Sequence, residues 1–152
     1  MPNRLSEFFV VDMLVAIDKI SRGVADLTFE TFVSDEKEVD SVLRNLEIIG
    51  EATGQLLKTD DFLDKANEEW RKIVNLRNII IHFYFGIDLD LVFHEILQKD
   101  IPALEKSIIS LLRQEKDLTR FSQAIMDTKA DLLEIHRHQS IAYLEKVEKL
   151  LA

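Results

Sequence analysis

Arg77 and His82 are the residues of this chain whose types suit chemistry on a bound anion. They lie in the stretch from Trp70 to Asp88, W-R-K-I-V-N-L-R-N-I-I-I-H-F-Y-F-G-I-D. An arginine cannot lose its charge in a protein, and its planar fork meets oxyanions in a bidentate manner. A histidine titrates near neutrality, so it can take up or release a proton at a held group. Both residues also have ordinary structural uses. A lone arginine on an apolar stripe snorkels to the surface or caps a neighbouring helix. A lone histidine near a helix end serves as a hydrogen-bonded structural residue.

The element that must position this pair reads as a helix. Trp70, Ile73, Val74, Ile80, Ile81 and Tyr84 follow the rhythm of one helical face. They span a sector roughly 120° wide, with Arg77 near its middle. A cation on a buried stripe needs a partner or a wet cleft. Beside it runs a polar file of Arg71, Asn75, Asn78 and His82. The run from Ile79 to Phe85 is β-branched and aromatic and would also suit a strand. It continues the helical pattern without a break, so the helix is expected to reach about Phe85, with Gly86 as its stop.

These residues carry a resemblance. Arg77-Asn78-Ile79-Ile80-Ile81-His82-Phe83-Tyr84 resembles the Arg-x4-His-x-Tyr signature of the HepT-type toxins of the HEPN superfamily. Leu46-Glu47-Ile48-Ile49-Gly50-Glu51-Ala52 is similar to that family's second-helix segment. Gly86-Ile87-Asp88 with Leu91-Val92, then Asp100-Ile101-Pro102, resembles its descending half. The similarity covers roughly residues 5 to 115. It implies an all-α fold, a dimer with a composite site, and a metal-independent endoribonuclease acting on RNA, with tRNA as the implied substrate.

Arg77 and His82 are chemically adequate for that reaction. The RNA 2′-hydroxyl attacks the adjacent phosphorus and leaves a cyclic phosphate and a 5′-hydroxyl. The step needs a base, an acid and positive charge on the phosphorane. His82 would move the protons, Arg77 would stabilise the phosphorane, and Asn78 would orient the imidazole or a phosphate. Positions five apart on a regular helix point about 140° away from each other. Either the helix loosens before Gly86, or two chains pair and line one cleft with residues from both. A symmetric homodimer with a shared groove is therefore expected. Tyr84 lies on the apolar stripe, where a packed aromatic is unremarkable. In the family the matching tyrosine is adenylylated by a minimal nucleotidyltransferase antitoxin. The resemblance implies the same switch at Tyr84, where added AMP would bring bulk and negative charge beside His82. A different reading stays open: a non-catalytic helical subunit that binds the nucleotidyltransferase, with the Arg77–Tyr84 stripe as its interface.

Composition agrees with one helical domain and narrows the chemistry. The chain has 152 residues, 47% apolar and 31% charged, with four Gly and two Pro. That is globular, with few breaks between long helices. No cysteine is present, so thiol nucleophiles, disulfides and thiolate zinc sites are excluded. The histidines have no metal-ligand spacing, and neither a cofactor nor a metal is expected. No apolar run reaches membrane-span length and no signal peptide precedes the first helix, which makes the cytosol the expected location, with no membrane and no DNA partner. The net charge of −9 is not the footprint of a general nucleic-acid binder. Lys65, Arg71, Lys72 and Arg77 instead predict a small cationic cleft on an acidic body.

Taken in order, the periodicity predicts an antiparallel helical bundle of about five helices plus a long C-terminal helix. Helix one runs from about Leu5 to Val24, with Leu5, Phe8, Phe9, Met13, Ala16, Ile17 and Ile20 on one side. Leu27 to Val33 is expected to be loop. Asp35 caps a second helix over about Glu36 to Leu57, in which Gly50 and Gly54 share a side and permit close helix approach. Asp88 caps a fourth helix and Asp100 a fifth, with Pro102 in its first turn. Residues 1–116 form the bundle. Residues 117–152 read as one further amphipathic helix with a heptad-like seam, either packed on the bundle or serving as an interaction arm.

Overall fold

The computed structural model describes residues 5–59, 70, 71, 73–75, 77, 78 and 86–152. Every regular element among them is helical. In chain order these are α1 (Ser6–Val24), α2 (Phe29–Ser34), α3 (Glu36–Thr59), the helical residues between 70 and 78, α4 (Leu89–Leu91), a π-helical segment (Val92–Asp100), α5 (Ile101–Gln114), α6 (Thr119–Glu134) and α7 (His138–Leu151). The all-α bundle expected from the sequence is what the chain forms.

Helix α1 is the spine of the molecule. The sequence assigns it one apolar face, and Met13, Ala16, Ile17 and Ile20 are indeed buried. So are Val10, Val11, Leu14 and Val15, on its other sides. A helix with apolar residues on more than one side needs more than one neighbour to cover them. Helix α3 packs along one flank, and α5, α6 and α7 pack along the rest. Phe121, Ala124, Ile125, Leu132, Leu144 and Val147 join the same core as α1. Both C-terminal helices therefore pack against the described core.

Three expectations are corrected. Leu27 to Val33 is not loop, because residues 29–34 form α2. Thr28 and Thr31 cap it reciprocally: each hydroxyl accepts from the other's backbone N–H, at 2.8 and 3.2 Å. Its Phe32 is fully buried 5.4 Å from the Phe93 ring, which gives the short helix a tertiary anchor. Secondly, Asp100 caps nothing. The chain stays helical from Leu89 to Gln114, and the Ile101 N–H bonds to Ile96 O, five residues back. Pro102 explains the wider turn. Its ring would crowd the carbonyl four residues earlier in an α-helix, and the π geometry relieves that contact. Asp88 does cap as expected, accepting from the amides of Asp90 and Leu91. Asp35 likewise accepts from Glu38 N at 3.1 Å.

The third correction concerns residues 117–152, which form two helices rather than one. The seam through Phe121, Ile125 and Leu132 is buried as expected, but Ile135 is exposed and the chain turns. His136 adopts a left-handed φ of 61°. Its N–H bonds to Leu133 O at 3.1 Å, and Arg137 N–H reaches back to Leu132 O at 2.9 Å. That pair of bonds is the Schellman stop, which usually carries glycine at the left-handed position. With histidine there, the sequence hides the turn. Helix α7 then folds back and buries Ser140, Leu144 and Val147 in a new register.

Candidate active site

Trp70 fixes one end of the central helical residues. It is fully buried, and its indole N–H donates to Ser107 Oγ of α5 at 3.2 Å. Ile73 is buried as well, whereas Arg71, Asn75 and Asn78 are exposed. The apolar stripe and the polar file read from the sequence are thus both present as far as Asn78. Ile80, Ile81, Tyr84 and His82 lie outside the described residues. So do Lys65 and Lys72 of the expected cationic cleft.

Arg77 sits where this helix crosses α3 over Gly50. A Cβ at Gly50 would collide with Arg77 Cβ and Cγ and would stand 3.1 Å from Ile73 O. Gly50 therefore serves the close approach expected of it. No described atom lies within 4 Å of a Cβ built at Gly54. The crossing lays the arginine stem against α3 and leaves the side chain about one-third exposed (32%). This answers the question raised by a cation on an apolar stripe: the stem is packed and the head is at the surface.

The guanidinium is held lightly. Nη1 donates to Asn78 Oδ1 at 3.1 Å, and Nη2 faces Glu51 Oε2 at 3.8 Å, beyond hydrogen-bond distance. Nε is buried and has no hydrogen-bond partner among the described residues. An ion pair this open contributes about 0–1 kcal/mol. Among the described residues the Nη2 donors have no acceptor within hydrogen-bond distance and can serve an oxyanion. Asn78, expected to orient an imidazole or phosphate, has its carbonyl taken by Arg77 and keeps its amide NH2 to donate. Glu51 was not singled out for a role in the sequence. It lies in α3, 26 positions earlier in the chain, and the crossing at Gly50 brings it beside Arg77.

A sizeable cavity lies elsewhere. It has a volume of about 770 Å³ and lies between α1, α3 and the turn joining α6 to α7.

Comparison with known proteins gives a consistent result. A family model described as ribonuclease HepT-like matches residues 13–111. A protein of Methanocaldococcus jannaschii named as a candidate RNase is 35% identical over 109 residues, 71% of this chain and 97% of that protein. Another candidate RNase, from Caldanaerobacter subterraneus subsp. tengcongensis, is 39% identical over 94 residues, 61% of this chain and 81% of its own. A candidate ribonuclease HepT of Thermococcus cleftensis is 35% identical over 98 residues, 64% of this chain and 86% of its own. No solved structure matches the chain significantly. The family match ends within α5, so α6 and α7 lie beyond it.

Proposed function

This chain belongs to the HepT-like ribonuclease family, and from that premise we propose that it is a metal-independent endoribonuclease, the toxin of a type VII toxin–antitoxin pair. The substrate is RNA, with tRNA as the target class. Arg77 binds the scissile phosphate and stabilises the phosphorane. His82 transfers protons between the 2′-hydroxyl, the leaving oxygen and solvent. Asn78 holds the guanidinium in orientation through its carbonyl and presents its amide to the substrate. A homodimer brings Arg77 and His82 of different subunits to one groove, since five helical positions separate them within a chain. A cognate minimal nucleotidyltransferase silences the enzyme by adenylylating Tyr84, which places negative charge where the RNA phosphate binds.

The observation that carries this reading is the state of Arg77. It is pinned at its stem by the Gly50 crossing, while its head has, among the described residues, one hydrogen bond, to Asn78 Oδ1, and a long, partly exposed contact to Glu51. A purely structural arginine on an apolar stripe would be expected to satisfy its donors with protein acceptors. A phosphate can displace the Glu51 carboxylate at small cost, and the packed stem holds the fork in place meanwhile.

His82→Ala tests the assignment. The variant should stay folded and dimeric while RNA cleavage falls by about 10²- to 10⁴-fold. Undiminished cleavage would remove histidine from the mechanism. Wild-type activity should persist in EDTA, because arginine supplies the positive charge.

A further inference from the structure

The cavity of about 770 Å³ is lined by Lys19 and Arg22 of α1, by Arg44 of α3, and by His136, Arg137 and His138 of the turn between α6 and α7. That is a local excess of positive charge on a chain whose net charge is −9. The balancing acids do not cancel it. Arg22 is paired with Asp18 at 2.8 Å, and Arg44, with 70% of its side chain exposed, with Glu47 at 3.0 Å. Glu38 is the one carboxylate in the wall. Lys19 and Arg137 form no ion pair with any described residue. Burial, together with Arg137 and Arg22, pulls the Lys19 ammonium below its ordinary range. These cations repel one another, a cost that the Asp12 and Asp18 carboxylates offset only in part at Lys19.

The cavity is built rather than incidental. Arg22 ties the turn to α1, donating to Gln139 Oε1 at 2.5 Å and to buried Ser140 Oγ at 3.3 Å. The strained left-handed His136 swings the chain so that Arg137 and both imidazoles face α1 and α3 across the gap. Helix α7, of 14 residues, begins at this wall, and its N-cap Arg137 offers no side-chain acceptor to the first amides. Those N–H groups and the positive end of the helix dipole favour an anion there. The His136 and His138 rings stand 6.2 Å apart at 50° and are exposed, as base-stacking surfaces are.

We propose that the cleft between α1, α3 and the α6–α7 turn binds the phosphate backbone of a single-stranded RNA segment, with Lys19 and Arg137 on phosphates and His136 and His138 against bases. It is a substrate-holding surface separate from Arg77. The identity of the ligand as RNA rests on the ribonuclease reading above; the cation cluster does not. The segment responsible, α6 and α7, lies beyond the family match, so this surface would be an addition of this chain to the shared bundle.

The test uses the full-length protein and a 5′-fluorescein single-stranded RNA, with binding followed by anisotropy across a salt series. Lys19→Gln with Arg137→Gln should weaken binding about tenfold or more. It should also flatten the slope of log K against log salt by about 1.4, at about 0.7 per lost single-strand phosphate contact. Lys19→Arg with Arg137→Lys, which keeps both charges, should bind as the wild type does, and this separates charge loss from misfolding. Unchanged affinity and slope in the neutral variant would overturn the proposal. Competition by AMP or inorganic phosphate as effective as by the RNA strand would overturn it in favour of a mononucleotide or phosphate site. The two readings fail differently. If the wild type cleaves RNA and the neutral variant retains its affinity, the cleft fails and the ribonuclease stands. If the wild type binds through Lys19 and Arg137 but never cleaves, the cleft stands and the ribonuclease fails.

Discussion

In the proposed mechanism Arg77 serves packing and chemistry through different parts of its length. Its stem fills the space left by the absent Cβ of Gly50, and its head reaches the surface beside Glu51 and Asn78. Two substitutions separate these functions. Arg77→Ala should lower the cleavage rate by about 10²- to 10³-fold, the usual cost of removing one transition-state donor. Stability should fall by about 1–2 kcal/mol, from the lost stem packing together with a partly exposed ion pair. Single-turnover RNA cleavage and urea unfolding on the same sample check both values. Gly50→Ala should act in the opposite proportion. The added methyl meets Arg77 Cβ, close to the backbone and unable to swing aside, so the helices must part. Overpacking of about 1–3 kcal/mol would outweigh the gain of roughly 1 kcal/mol in helix propensity. A urea midpoint equal to or above wild type would show that the crossing has room. Arg77 was legible in the sequence as a cation on an apolar stripe. Glu51 was not legible as its neighbour, because side-chain periodicity describes one helix at a time.

At the level of elements, the informative discrepancy is the end of α6. A continuous amphipathic seam predicts one helix over residues 117–152, and the first half of that seam is indeed buried. The break falls at His136, a residue type that rarely marks a stop. Tertiary contacts supply the reason. Arg22 holds Gln139 and Ser140 against α1, and Lys129 joins Glu148 at 2.5 Å across the hairpin. These contacts sustain a backbone conformation that costs a non-glycine residue about 1–2 kcal/mol. His136→Gly should therefore stabilise the protein by up to about 1 kcal/mol, measured as a raised urea midpoint with an unchanged m-value. A loss of stability would mean that the imidazole contributes more than the strain removes. The π segment has a parallel logic. Pro102 was correctly expected near a helix start, but the chain widens its turn instead of ending one helix and capping another.

Considered as a whole, the molecule is a bundle whose last two helices close the open sides of its first. Tyr143 is one fastening of that closure. Its hydroxyl donates to Glu105 Oε2 at 2.7 Å, linking α7 to α5. Burial, reinforced by the hydrogen bond to Glu105 and its negative charge, raises the Tyr143 pKa far above the ordinary phenol range. The folded state therefore keeps a proton that the unfolded chain releases above about pH 10. This contribution is complete below the unfolded pKa and is lost as pH rises through the interval up to the folded value. Wild type should lose stability between pH 9 and pH 11 faster than Tyr143→Phe, as two urea titrations would show. At neutral pH the variant should be weaker by about 1 kcal/mol, the hydrogen bond it lacks. Parallel pH dependences would remove Tyr143 from this role.

The amino-acid order by itself determined the helical class, the caps at Asp35 and Asp88, and, as far as Asn78, the stripe that carries Arg77. Each of these follows from residues within a few turns of one another, where periodicity and local hydrogen bonding decide. The tertiary structure alone decided that Gly50 and Arg77 meet, that α1 is buried on more than one side, and that a histidine turns the chain so that Lys19 and Arg137 face each other. Those outcomes depend on contacts between residues far apart in the chain, and their energy exists only once the helices have docked.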